Sequence, residues 1–191
     1  MHALRVAGFA GCVLAFVVGP LDAQRPQVRR GFWIGLGAGS GTAGVSCDTC
    51  SARGRETALG YYIKLGGTLS PRLLLGGEID GWLKTESLAT YAGNGAVVLY
   101  FYPAPTSGLF VKGGAGLAVR FVETLYTGTH DGSGLGVTAG AGYDWRIGRN
   151  VSLTPMATYY YGDIGALSTV SSTSTGWKQN VFEFTLGVTF H

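Results

Sequence analysis

"LLLGGEIDGWLK", residues Leu73–Lys84, begins as apolar as a membrane segment and then sets Glu78 and Asp80 two residues apart. Read with the period of a β-strand, the stretch sorts itself. Leu73, Leu75, Gly77, Ile79, Gly81 and Leu83 share one face, and Leu74, Gly76, Glu78, Asp80, Trp82 and Lys84 share the other. Read as a helix, the two carboxylates point in different directions and the glycines weaken it. The stretch is therefore a strand with one greasy face and one charged face.

The same sorting recurs along the chain. In Ala58–Leu69, Leu59, Tyr61, Ile63 and Leu65 oppose Gly60, Lys64 and Gly66. In Leu109–Phe121, Leu109, Val111, Ala115, Leu117 and Val119 oppose Lys112, Gly114, Gly116 and Arg120. In Leu135–Ile147, Val137, Ala139, Ala141, Tyr143 and Trp145 oppose Thr138, Gly140, Asp144 and Arg146. Near the C-terminus, Phe182, Phe184, Leu186, Val188 and Phe190 oppose Glu183, Thr185 and Gly187. Gly31–Gly39, Tyr91–Tyr102 and Val151–Tyr161 complete the set, giving eight strands of roughly 9–13 residues each. Pro155 is a discord: it lies mid-strand without an N–H to donate, which asks for a bulge or a locally open ladder.

The connections alternate. Ser70–Arg72, Pro103–Gly108 and Gly148–Asn150 read as short turns. Ser40–Glu56, Thr85–Tyr91, Val122–Gly134 and Gly162–Lys178 read as longer polar links. Short turns at one end and long loops at the other describe an all-β, eight-stranded, antiparallel up-and-down barrel.

Composition agrees. Of 191 residues, 33 are glycine and only 13% are charged, about half the share of an ordinary soluble domain. The chain opens with Arg5, an apolar run over Val6–Gly19, and "PLDA" ending at Ala23. This is a secretory signal peptide over residues 1–23, followed by a short lead at 24–30 and a barrel domain at 31–191. A lipoprotein site at Cys12 is the rival reading, disfavoured because too little apolar chain precedes it and too much follows it. Loss of Arg5 and Asp22 leaves the formal net charge at +3, and no basic stripe points to nucleic acid.

Such a barrel can hide its apolar face in a dry pocket or turn it to lipid. Glycine dominates the charged face, which suits a narrow lumen and not a solvated surface. Tyr61, Phe101, Tyr143, Trp145, Tyr159 and Tyr161 lie near strand ends, where interfacial girdles form. The fold class is thus a transmembrane β-barrel. The segments "GTLSPRLLLGGEIDGW" and "LFVKGGAGLAV", with the terminal strand "FEFTLGVTFH", resemble the small outer-membrane β-barrel superfamily typified by OmpA, OmpX and OmpW. The resemblance implies a location in the bacterial outer membrane, monomers surrounded by lipid and lipopolysaccharide, and delivery by the barrel-assembly machinery through the C-terminal strand. The family usually ends on Phe; here Phe190 is followed by His191.

Glu78 and Asp80 then point into the lumen with Lys64, Lys112, Arg120, Asp144, Arg146 and Glu183, four acids and four bases that should pair. If Ser70–Arg72 is a three-residue turn, Lys64 lies opposite Glu78, and that ion pair is the specific expectation. An internal salt-bridge network closing the lumen implies a structural or surface-interaction role. The alternative is a small channel for ions or small apolar solutes, and the third reading is a rim enzyme acting on lipid A.

The remaining motifs are weaker. Cys47 and Cys50, in "CDTC", read as a loop disulfide in an exported chain. Neither a metal site nor a cofactor site is expected. Gly39–Gly44 matches a dinucleotide fingerprint but lacks the helix that would hold a pyrophosphate. His130, Asp131 and Ser133 stand together in what reads as a solvated loop turn, and no catalytic residue is assigned. Arg53, Arg55, Lys84 and Lys178 fall near the outer rim and are candidate contacts for lipopolysaccharide phosphates.

Overall fold

The structure, a computed structural model, describes residues 29–48, 54–86, 89–124, 128–168 and 173–191. Eight strands follow in order: β1 (Phe32–Ser46), β2 (Glu56–Ser70), β3 (Leu73–Lys84), β4 (Thr90–Phe101), β5 (Leu109–Thr124), β6 (Gly128–Tyr143), β7 (Val151–Ser168) and β8 (Thr173–Phe190). Past Asp144, β6 resumes for Trp145–Arg146. Each strand pairs antiparallel with the next, and β1 pairs with β8 from Ile34↔Phe190 to Ser46↔Lys178, which closes the barrel.

The alternation sets the two faces. Leu36, Ile63, Ile79, Val97, Leu117, Leu135, Val137 and Phe184 are exposed on the outside. Lys64, Glu78, Asp80, Lys112, Asp144 and Glu183 are buried within. A carrier with a dry pocket would show the opposite arrangement. The outward belt leaves the outer wall apolar, as a bilayer requires, while closure satisfies the backbone.

The strands run 12–18 residues, longer than the alternation alone suggests. The excess comes from the polar links. Ser40–Ser46 extends β1, Val122–Thr124 extends β5, and β6 begins at Gly128, so Thr129–Ser133 is ladder and not a loop turn. Thr and Val in these links favour a strand, and pairing beyond the apolar belt satisfies backbone groups that water would otherwise take. The result is a stranded collar at the long-loop end.

Pro155 sits where a ladder is interrupted. β6 and β7 pair as far as Gly142↔Met156 and resume at Trp145↔Leu153. Its missing N–H falls in that gap, opposite the point where Asp144 turns inward. Inside, Gly66 and Gly76 face each other across β2 and β3. A Cβ on either would come within 2.7 Å of the Trp33 ring, so the glycines make the space that ring fills.

Candidate functional site in the barrel lumen

The lumen is built from three levels. The central one begins with Glu78 and Asp80, whose alternate positions on β3 aim both carboxylates at the axis. Lys112 reaches them from β5, over the inner face of β4. Its ammonium pairs with Glu78 and lies 3.7 Å from Asp80 Oδ1, and all three side chains are fully buried. The Tyr100 hydroxyl donates to Glu78. The Thr138 hydroxyl donates to Asp80 Oδ2 at 3.4 Å.

Lys64 and Glu78 are register partners, as expected from the turn. They do not form the ion pair. Lys112 takes Glu78, while the Lys64 ammonium lies among aromatic rings, 5.1 Å from the centre of Phe110, 5.2 Å from Tyr100 and 5.5 Å from Tyr62. The physical reason is reach. In the narrow lumen of an eight-stranded barrel a lysine reaches over one intervening strand as easily as to the adjacent one, so the nearest Cα in register is not the nearest charge. A π-face attracts an ammonium without a carboxylate.

At the short-turn end, Asp144 accepts from the Tyr102 hydroxyl at 2.7 Å and from Thr154 at 2.8 Å. His191 Nε2 stands 3.7 Å from the same carboxylate. Burial pushes the His191 imidazole down to about 4, against the opposing pull of Asp144. Arg146 is buried beside this group and donates to the Arg149 carbonyl at 3.3 Å. Arg29 closes this end. Only 2% exposed, it lays its guanidinium 3.6 Å over the Tyr102 ring and donates to the carbonyls of Pro105 (3.1 Å) and Ser107 (2.6 Å).

At the long-loop end, Glu183 accepts from the Tyr160 hydroxyl at 3.1 Å, and Trp82 donates to the Gly41 carbonyl at 3.0 Å. Gln179 bridges to the carbonyls of Gly93 and Val119. Arg120 is buried on β5 at this level.

All eight expected lumen charges are therefore buried, at three levels of the barrel. Sequence reasoning missed Arg29, assigned to a short basic lead. It also missed the rings that pack between the charges: Trp33, Tyr62, Tyr100, Phe110 and Tyr160. Their signal was parity, since Tyr62 shares the face of Lys64, and Phe110 that of Lys112.

The other candidates separate. Cys47 is disulfide-bonded, and Cys50 lies outside the described residues. Arg53 also lies outside them. Arg55 donates to Asn180 and, at 2.7 Å, to the Thr42 carbonyl. Lys84 bridges Glu56 (3.4 Å) and Glu86 (3.1 Å), and Lys178 is exposed on β8. Asp131 and Ser133 are exposed on β6, and the His130 side chain is outside what is described. Among the described residues no cluster of His, Cys, Asp and Glu has the makings of a metal site.

An apolar outer belt around a charged, packed lumen defines an eight-stranded β-barrel of the outer-membrane type. The chain is similar in fold to neisserial surface protein A (TM-score 0.53, 19% identical, covering 85% of this chain and 98% of that one). It is also similar to Ail, the attachment invasion locus protein of Yersinia pestis (TM-score 0.53, 14% identical, covering 85% and 99%). Ail in complex with the heparin analogue sucrose octasulfate aligns with a TM-score of 0.51 at 15% identity, over 85% and 99% of the two chains. At these identities the likeness is one of fold. No family model matches the sequence, and no curated protein matches it.

Proposed function

We propose that this chain is a closed-lumen barrel of the bacterial outer membrane whose activity lies at its outer surface. The observation that carries this reading is Lys112, which reaches over β4 within the lumen to Glu78 and Asp80 with all three side chains fully buried. Arg29 and Tyr102 seal the short-turn end below them. A lumen plugged at two levels leaves the stranded collar as the exposed working part. The collar does not suit a polysulfated ligand of the kind bound by Ail. Among the described residues, Asp48, Glu56, Glu86, Glu123, Asp131 and Asp163 are exposed there, against Arg55, Lys84 and Lys178. Non-catalytic contact with other surfaces, with lipopolysaccharide at the rim and β8 read by the assembly machinery, is the role we assign.

A second reading has one observation in its favour. Asp80 Oδ1, the Asn94 amide, Thr158 Oγ1 and Glu183 Oε2 are buried and accept or donate no hydrogen bond within the protein. Such atoms are where internal water sits, and a wet lumen is the start of a channel. Planar-bilayer recording separates the two. The closed-lumen reading expects no discrete conductance steps from folded protein at neutral pH; reproducible steps abolished by Asp80→Leu would replace it with the channel.

A further inference from the structure

Charge is distributed unequally between the two ends of the barrel. Among the described residues the collar carries an excess of carboxylates. The short-turn end has none exposed among the described residues: its one acidic side chain, Asp144, is fully buried. Three arginines are exposed at that end, each on a different connection. Arg30 precedes β1, Arg72 lies in the β2–β3 turn, and Arg149 lies in the β6–β7 turn.

These positions form one rim. Tyr102 N–H donates to the Arg72 carbonyl, His191 N–H to Asn150, and Thr68 N–H to Gly31, so each connection is held by a backbone bond to a neighbouring segment at the same end of the barrel. Just inside the arginines stand exposed rings: Phe32, Phe101, Trp145 and Phe190. Aromatic side chains at this level mark the boundary between acyl chains and headgroups. Guanidiniums placed one step further out meet the headgroups themselves, and their fork of donors fits two oxygens of a phosphodiester.

We propose that the Arg30, Arg72 and Arg149 rim binds the headgroups of anionic phospholipids in the leaflet facing the short turns, which in this class of barrel is the periplasmic one. The inference rests on the membrane-barrel reading and adds a lipid preference and a side. The occupant is a phospholipid and not an acidic protein because the guanidiniums flank an interfacial ring belt. A protein partner would need no such belt.

The test is native mass spectrometry of the folded chain released from detergent containing equal phosphatidylglycerol and phosphatidylcholine. Wild type is expected to retain phosphatidylglycerol over phosphatidylcholine by about tenfold, as three interfacial cations should give. The Arg30→Gln, Arg72→Gln, Arg149→Gln variant should fall to within about twofold of no preference. The corresponding triple Lys variant should keep most of it, and so should Lys84→Gln, Lys178→Gln at the opposite rim. All three arginines are exposed, so no packing is lost. A wild type indifferent to lipid charge overturns the proposal and leaves the rim to an acidic protein. Equal preference in the triple Gln variant, or loss on changing the opposite rim, overturns it too. Failure of the barrel reading is separately visible: wild type would then show no difference in electrophoretic mobility between boiled and unboiled samples, before any lipid is counted.

Discussion

Replacing Lys112 with Met tests the central claim about the lumen. Lys112 holds Glu78 and Asp80 with every group at zero exposure. After the change two carboxylates two residues apart on β3 keep only the Tyr100 and Thr138 hydroxyls. Removing one partner of a buried pair costs about 3–5 kcal/mol, since the remaining charge is neither solvated nor compensated. Lys64→Met is the contrasting perturbation. It forfeits cation–π contacts of about 0.5–2 kcal/mol but also removes a desolvated charge from an aromatic cage, so its net cost is expected below about 1 kcal/mol. Urea unfolding in lipid vesicles, followed by Trp fluorescence, reads both values. A double-mutant cycle isolates the pairs: Lys112 with Glu78 should couple by about 2–3 kcal/mol and Lys64 with Glu78 by less than half of that. If Lys64→Met destabilises as much as Lys112→Met, or couples to Glu78 more strongly, proximity in register governs the lumen after all and the account of a reach over β4 is wrong.

Arg29→Ala removes a stacked guanidinium and two charge-assisted bonds from the short-turn end and should lower stability by about 2–3 kcal/mol in the same unfolding assay, without altering the far-ultraviolet spectrum. His191, held near 4 when folded, carries a proton between about pH 6.5 and pH 4 only in the unfolded chain. Stability should thus be full above about pH 6.5, decline as pH falls toward 4, and lose that part of the slope in His191→Gln. Gly76→Ala drives a Cβ to 2.8 Å or closer from the Trp33 ring and should cost about 1–3 kcal/mol. Gly77→Ala meets open space on the outer face and should be neutral or slightly stabilising in the same titration.

The strand faces were legible because alternation is local: Leu75, Ile79 and Leu83 say outward, and Glu78 and Asp80 say inward, whatever the neighbours do. Register at the first turn was legible too, because Ser70–Arg72 is short enough to fix it; Lys64 faces Glu78 despite an irregularity between Thr68 and Ser70. What the sequence could not supply was distance between strands that are not neighbours in the sheet. Lys112 meets Glu78 from two strands away, and that contact depends on the radius of the barrel and on where Trp33 and Tyr100 leave room. Strand length was misjudged for a related reason. The polar links look like loops when judged by hydrophobicity, but in a hairpin already zipped to the membrane surface the next pair costs little to add. Arg29 left only a faint trace, an arginine one turn ahead of the first strand.

The lumen charges also explain why this glycine-rich wall holds one register. With few bulky inward residues, strands could slide on packing alone. A slip of one residue would turn Lys64, Glu78 and Lys112 toward acyl chains, at about 2–4 kcal/mol for each lysine near the midplane. It would also drive Leu36, Ile79 and Phe184 into a bore already filled by Trp33, Tyr62 and Phe110. Because Lys112 reaches from β5 over β4 to β3, its pairing ties three strands to one alignment. The ion pairs thus matter less for the net stability they add than for the alternatives they exclude, and a lumen emptied of charge would be expected to fold with a looser choice of register.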